Sequence, residues 1–282
     1  MSVVLITGCS SGFGKLAAIE LARRGDSVYA SMRDLAKAGA LLDDAKAAGV
    51  TVEVIALDVA NRASVDAAVS DVIRRSGRID VLVNNAGAGI HGAVEDADDD
   101  EVARIFETNV FGLIRVTRAV LPQMRAQGGG TVVNVGSLTG KLSAPFGGIY
   151  AASKHAVEAL SDALYYELHP FGVRVVLVEP GAFETGFSGN VLHQRRSTAD
   201  SPYASLDARF AEAQGRIPVA GLSGGRQDAG EVARVIADAA HAEQPKRRYL
   251  VGADAAMLGG LLKQLSDEDF EKTMRTTLDF WD

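Results

Sequence analysis

Ser2-Val3-Val4-Leu5-Ile6-Thr7-Gly8-Cys9-Ser10-Ser11-Gly12-Phe13-Gly14 decides the fold of this 282-residue chain. Residues 2–6 form a short, almost unbroken apolar run, the pattern of a strand buried on both faces. A glycine-rich turn follows, and the amphipathic run over 15–24 reads as a helix. Strand, glycine turn and helix in that order form the first unit of a dinucleotide-binding fold. The glycines let the backbone approach a pyrophosphate, and the helix N-terminus offers free N–H groups to its charge. The spacing is Gly-x-x-x-Gly-x-Gly rather than the commoner Gly-x-Gly-x-x-Gly, so the flanking strand and helix carry much of the assignment.

Working outward, strand and helix patterns keep alternating. Further strands are predicted over 27–31, 51–57, 79–83, 131–135, 173–178 and 248–251. Helices are expected up to 48, over 61–75, from the acidic run 95–101 to 126, over 151–168 and over 228–241. Between 182 and 225 the pattern dissolves into mixed polar, glycine and aromatic residues, the mark of a substrate loop or lid. A helical tail over about 253–282 is expected to be peripheral or an oligomer contact. With no repeat or interdomain linker, the expectation is one α/β domain over 1–282: a doubly wound, Rossmann-type parallel sheet with helices on both faces.

Composition sets the limits. With 47% hydrophobic and 23% charged residues the chain has ample material for a core, and a net charge of −7 argues against nucleic acid as a partner. The single cysteine, Cys9, excludes an internal disulfide framework and a cysteine-based metal site. The acidic run 95–101 has no metal-ligand spacing and reads as a solvated helix start, so no metal is expected. No uncharged apolar run approaches the length of a membrane span, and a strand begins at residue 2 or 3, so the chain reads as cytoplasmic.

Chemistry concentrates at three strand ends. After the second strand come Arg33 and Asp34. Arg33, with the hydroxyls of Ser11 and Ser31, suits a 2′-phosphate, whereas Asp34 lies beyond the strand end and reads as a helix cap. NADP(H) is therefore favoured over NAD(H). Asp58, after the third strand, either meets an adenine amino group or caps the helix that follows. The fifth strand leads into Gly136–Lys154, where Ser137 leaves the strand and Tyr150 and Lys154 stand four apart on one helix face. A free phenol titrates near ~10, and moving it to about 7 takes roughly 4 kcal/mol. One cation at ~4 Å and an effective dielectric of ~20 supplies about that much, so Lys154 is expected to activate Tyr150 as a proton donor and acceptor. Ser137 would hold a substrate oxygen whose charge changes.

Taken together, these residues resemble the short-chain dehydrogenase/reductase family. The resemblance rests on Thr7 to Gly14, Asp58, Asn84-Asn85-Ala86-Gly87, Asn109, Ser137 thirteen residues before Tyr150, Lys154 and Pro180-Gly181. The stretch 28–34 also looks like the steroid- and retinol-dehydrogenase subgroup. The resemblance implies an oxidoreductase acting on a secondary alcohol or its ketone, with Asn109, Ser137, Tyr150 and Lys154 as the catalytic group. It implies a cofactor held by Gly8, Ser10, Ser11, Gly12, Phe13, Gly14, Ser31, Arg33, Asp58, Val59, Asn85, Ala86, Gly87, Tyr150, Lys154, Pro180, Gly181 and Thr185. Lys154 would also bond the nicotinamide ribose, and Asn109 would hold a water linking Lys154 to solvent. Leu138, Phe146, Ile149, Phe183 and Phe187 either line an apolar substrate pocket or pack beneath the loop. A homodimer or homotetramer is expected. The competing reading is a non-catalytic nucleotide-binding regulator, and the presence of all four catalytic residues speaks against it.

Overall fold

In the computed structural model, which describes residues 1–186, 189, 191–217, 219 and 225–281, the opening apolar run is strand β1 (Val3–Ile6), buried throughout. The glycine turn hands over to α1 (Gly12–Arg23), followed by β2 (Ser27–Met32), α2 (Gly39–Ala47) and β3 (Glu53–Ala56). Next come α3 (Arg62–Ser76), β4 (Val81–Asn84), the short β5 (Gly89–His91), α4 (Asp99–Phe106) and α5 (Gly112–Gln127). The second half runs β6 (Gly130–Val135), α6 (Gly148–Leu168), β7 (Val173–Pro180), β8 (Val191–His193) and α7 (Ala204–Gly215). It closes with α8 (Ala229–His241), β9 (Arg248–Val251), α9 (Ala253–Gln264) and α10 (Asp267–Leu278).

Seven strands form one parallel sheet in the order β3-β2-β1-β4-β6-β7-β9, as expected for a doubly wound sheet. Because strand side chains alternate, each strand feeds two cores. Val4, Ile6, Val81, Val83, Val133 and Val176 pack with α1, α2 and α8 on one face. Val3, Leu5, Leu82, Val132 and Val175 pack with α3, α5 and the end of α6 on the other. Several helices start on side-chain caps: Asn61 Oδ1 accepts from the Ser64 amide at 3.0 Å at the start of α3, and Asp98 and Glu101 form a reciprocal capping box on α4. Asn61, not Asp58, therefore caps α3, and the cap alternative for Asp58 is overturned.

Four other expectations change. The helix expected to run unbroken to 126 is interrupted by a π-turn over Glu107–Phe111, with Asn109 inside it. The segment 182–225 is not irregular throughout, since β8 pairs in parallel with β5 and α7 follows. The acidic run 95–101 is not merely solvated. Glu95 accepts from the Tyr203 hydroxyl at 2.5 Å, Asp96 from Ser201 at 2.7 Å, and Arg195 pairs with Asp98 at 2.9 Å. Finally, the tail is not peripheral: Leu278 and Phe280 are buried with Phe146 and Phe210 in a cluster of their own. None of the helices among the described residues is long and apolar enough to cross a membrane.

Candidate active site

The carboxyl ends of β1, β2, β3, β4, β6 and β7 open onto one cleft of about 900 Å³. Its first wall is the turn after β1. Thr7 Oγ1 accepts from the amides of Asn85 and Ala86, both at 3.0 Å, and the Asn85 side-chain amide donates to the Thr7 and Gly8 carbonyls at 2.9 and 3.1 Å. The turn after β4 thus braces the turn after β1. Gly8 has φ +76, and a Cβ there would lie 2.8 Å from Ala86 Cα, so glycine is required by both conformation and space. Ser11 is the N-cap of α1 without a side-chain capping bond, which leaves the first-turn amides of a full helix facing the cleft. Such a donor set fits the pyrophosphate of a dinucleotide.

Of the residues expected at the cofactor, Gly8, Ser10, Ser11, Gly12, Phe13, Arg33, Asp58, Val59, Asn85, Ala86, Gly87, Pro180, Gly181 and Thr185 all line the cleft. Gly14 does not: it lets α1 seat against Asn85, whose Nδ2 would lie 2.4 Å from an added Cβ. Ser31 does not either. Its hydroxyl is wholly buried and donates to the Ile6 carbonyl at 2.8 Å, so it cannot meet a 2′-phosphate. Asp34 lines the cleft after all, because β2 runs on to Met32, while its Oδ1 also accepts from the Ala36 amide at 3.0 Å. Beside it stands Lys37, a second cation at this rim that the strand-end reading passed over.

The opposite wall is built by β6 and α6. Ser137 takes extended backbone where β6 ends, and its Oγ accepts from the Thr139 amide at 3.2 Å and hydroxyl at 2.9 Å. Tyr150 and Lys154 come up from the first turns of α6, and all three side chains line the cleft. Lys154 Nζ donates to the Val135 carbonyl at 3.0 Å and lies 5.7 Å from the Tyr150 ring centroid. Burial pushes the Tyr150 phenol up to about 12, against a hydrogen bond with Ser137 that pulls it down. Burial lowers Lys154 to about 8, against the attraction of Glu158. The lowering of Tyr150 expected of Lys154 is opposed here by burial of the phenol, while the ammonium itself donates to a backbone carbonyl.

Asn109 is 3% exposed and does not line the cleft. Its Oδ1 accepts from the Ala88 amide at 2.8 Å, and its Nδ2 donates to the Ala88 carbonyl at 2.9 Å and to Ser153 Oγ at 3.0 Å. It fixes the strand-end loop beside Lys154. Among the expected substrate residues, Leu138 and Phe183 line the cleft, with Phe183 edge-on to Phe13 at 5.6 Å. Phe146 is instead buried beside Phe210, and half-buried Ile149 is not part of the lining. Phe187 lies outside the described residues. Sequence reasoning missed Asp254, whose carboxylate accepts from the Ala182 amide at 2.7 Å and from Gln227 at 2.8 Å, pinning the segment after β7. No local motif announces a contact between positions so far apart in the chain. Among the described residues no cluster of three metal-binding side chains occurs.

Residues 2–196 match the family described as short chain dehydrogenase. The chain is 43% identical to a 3-ketodihydrosphingosine reductase of Bacteroides thetaiotaomicron over 72% of its own length and 74% of the relative. It is 38% identical to 17-beta-hydroxysteroid dehydrogenase type 1 of Homo sapiens, over 88% of this chain and 76% of that one. A short-chain dehydrogenase from Streptomyces avermitilis superposes with a TM-score of 0.79 at 37% identity, covering 98% of both chains. A member from Burkholderia phymatum solved with NAD gives 0.77 at 29% identity, covering 96% and 95%. A gluconate 5-dehydrogenase from Burkholderia cenocepacia solved with NADP and tartrate gives 0.73 at 26%, covering 91% and 95%.

Proposed function

The chain belongs to the short-chain dehydrogenase family of nicotinamide-dependent oxidoreductases, and from that premise we propose that it moves a hydride between NADP(H) and a secondary alcohol or its ketone. The observation that carries this reading is the meeting of Ser137, Tyr150 and Lys154 on the cleft whose far wall is the turn after β1. When bound, the dinucleotide supplies or accepts the hydride. Ser137 holds the substrate oxygen, and Tyr150 passes its proton to that oxygen as a carbonyl becomes an alcohol. A phenol that burial holds up to about 12 carries its proton at neutral pH, the form that reduction of a carbonyl draws on. Lys154 brings a positive charge beside the phenol and a donor for the nicotinamide ribose. Asn109 holds the Ala88 loop in register with Lys154.

Arg33 and Lys37 at the rim support NADP(H), since two cations outweigh the single carboxylate of Asp34, part of which is spent on the Ala36 amide. Leu138, Leu142, Ala144 and Leu192 on the lining support a bulky, largely apolar ketone, and relatives named for a ketodihydrosphingosine and a hydroxysteroid point the same way. The same reading carries a cytoplasmic homodimer or homotetramer, with exposed Phe111, Tyr165 and Tyr166 as apolar surface on the α5 and α6 side.

Tyr150→Phe tests the assignment. It is expected to cut turnover by about a hundredfold to ten-thousandfold while cofactor binding, followed by fluorescence, is retained. Near-normal turnover would remove Tyr150 from the proton path.

A further inference from the structure

We propose that Glu158 is a positioning residue for the reaction, acting on Ser137 through the turn that carries it and on Lys154 through charge; the inference rests on the hydride-transfer reading above. Glu158 stands one turn after Lys154 on α6 and is only 8% exposed. Its Oε1 lies directly under the Ser137 turn, where a Cβ on Gly140 would come within 2.9 Å of it and one on Gly136 within 3.5 Å. The two glycines that flank the turn leave the room this carboxyl occupies.

Its surroundings argue against a simple structural tie. Glu179, wholly buried at the end of β7, shares the same cations: Lys141 Nζ lies 3.1 Å from Glu179 and 3.5 Å from Glu158, and Arg248 Nη1 lies 3.0 Å from Glu179 and also bonds Glu158. Arg248 Nη2 continues to Asp162 at 2.5 Å, which also meets Arg247 at 2.5 Å. Glu158 is thus faced by Glu179 from β7, Lys141 from the Ser137 turn, Arg248 from β9 and Lys154 from its own helix. One carboxylate would suffice to seat Lys141 and Arg248, and a second buried acid adds a desolvation cost. Oε1 of Glu158 and Oε2 of Glu179 accept from no neighbouring N–H or hydroxyl among the described residues, and the two carboxyls stand within hydrogen-bonding reach of each other. Burial and the charge of Glu179 hold Glu158 above the ordinary carboxylate range. Glu158 stands four residues after Lys154, on the same face of α6; held at about 7, it is ionised where Lys154 titrates, so its charge supports the ammonium that burial disfavours.

Glu158→Gln keeps the size and one acceptor oxygen while removing the charge. Lysine isotopically labelled at Cε reports the Lys154 titration directly, its resonance identified by disappearance in Lys154→Arg. In the wild type the midpoint is expected near 8. In Glu158→Gln it moves about one unit toward acid, and the alkaline limb of kcat/KM moves with it. An unmoved midpoint overturns the proposal whatever happens to the rate, because a purely structural role lowers activity without shifting the titration. Glu158→Asp retains the charge and keeps the midpoint within half of that shift. A full-unit displacement in Glu158→Asp overturns the proposal, and this variant carries the test if Glu158→Gln does not fold. Absence of turnover in the wild type, with the midpoint still responsive to Glu158, would refute the hydride-transfer reading and not the coupling.

Discussion

Burial acts on Tyr150 and Lys154 in opposite directions, raising one to about 12 and lowering the other to about 8, so at neutral pH both hold their protons. The lysine carries a stability consequence. Its shift from 10.5 to about 8 corresponds to a penalty of about 3 kcal/mol at ~1.36 kcal/mol per unit. Between those values the unfolded chain binds the proton and the folded chain does not, so the penalty is full below 8 and disappears as pH rises through 10.5. Lys154→Met is therefore expected to gain stability relative to the wild type by more at pH ~7 than at pH ~10. Urea unfolding at both values checks this, and a gap that does not shrink with pH contradicts the burial account. The fixed spacing of Ser137, Tyr150 and Lys154 within one strand–turn–helix unit made them legible from sequence. The hydroxyl direction of Ser31 and the two partners of Asn109 were not, because strands and loops distant in sequence set them.

Among the elements, α1 depends on a close approach rather than on a cap. Alanine at Gly14 would place a Cβ 2.4 Å from Asn85 Nδ2 and 2.6 Å from the Gly8 carbonyl, forcing the helix away from the turn it supports. Gly14→Ala is expected to cost about 1–3 kcal/mol in urea unfolding and to weaken dinucleotide binding. Stability within error of the wild type would show that the helix can shift without loss. The main strands and helices could be read because periodicity and glycine punctuation are local signals. The π-turn around Asn109 could not, since it conserves the apolar stripe on either side while adding one residue to a turn. The β5–β8 pair escaped as well: each strand has three residues, and their partnership joins segments about a hundred positions apart.

For the molecule as a whole, sheet order places the chemistry. All main-sheet strands are parallel, and the turn after β1 and the Ser137 turn after β6 come together at the carboxyl edge on either side of the turn after β4. Around that edge the later chain closes in. Arg195, Ser201 and Tyr203 dock on the acidic run before α4, Phe280 packs on Phe210 at 5.0 Å, and Asp254 holds Ala182. The tail packs on α7 and Phe146 and, through Ala255 and Leu258, on Leu138, and no pattern within 253–282 records those contacts. The central claim is a transfer of hydride to a ketone, and isotopic transfer tests it most directly. The protein is given a panel of ketones graded in size, with NADPH or NADH deuterated at the transferable position. The account predicts that NADPH is consumed faster than NADH, fastest with the bulky apolar ketones, and that deuterium appears on the carbinol carbon of the product. Bound cofactor that delivers no deuterium to any ketone in the panel would contradict it.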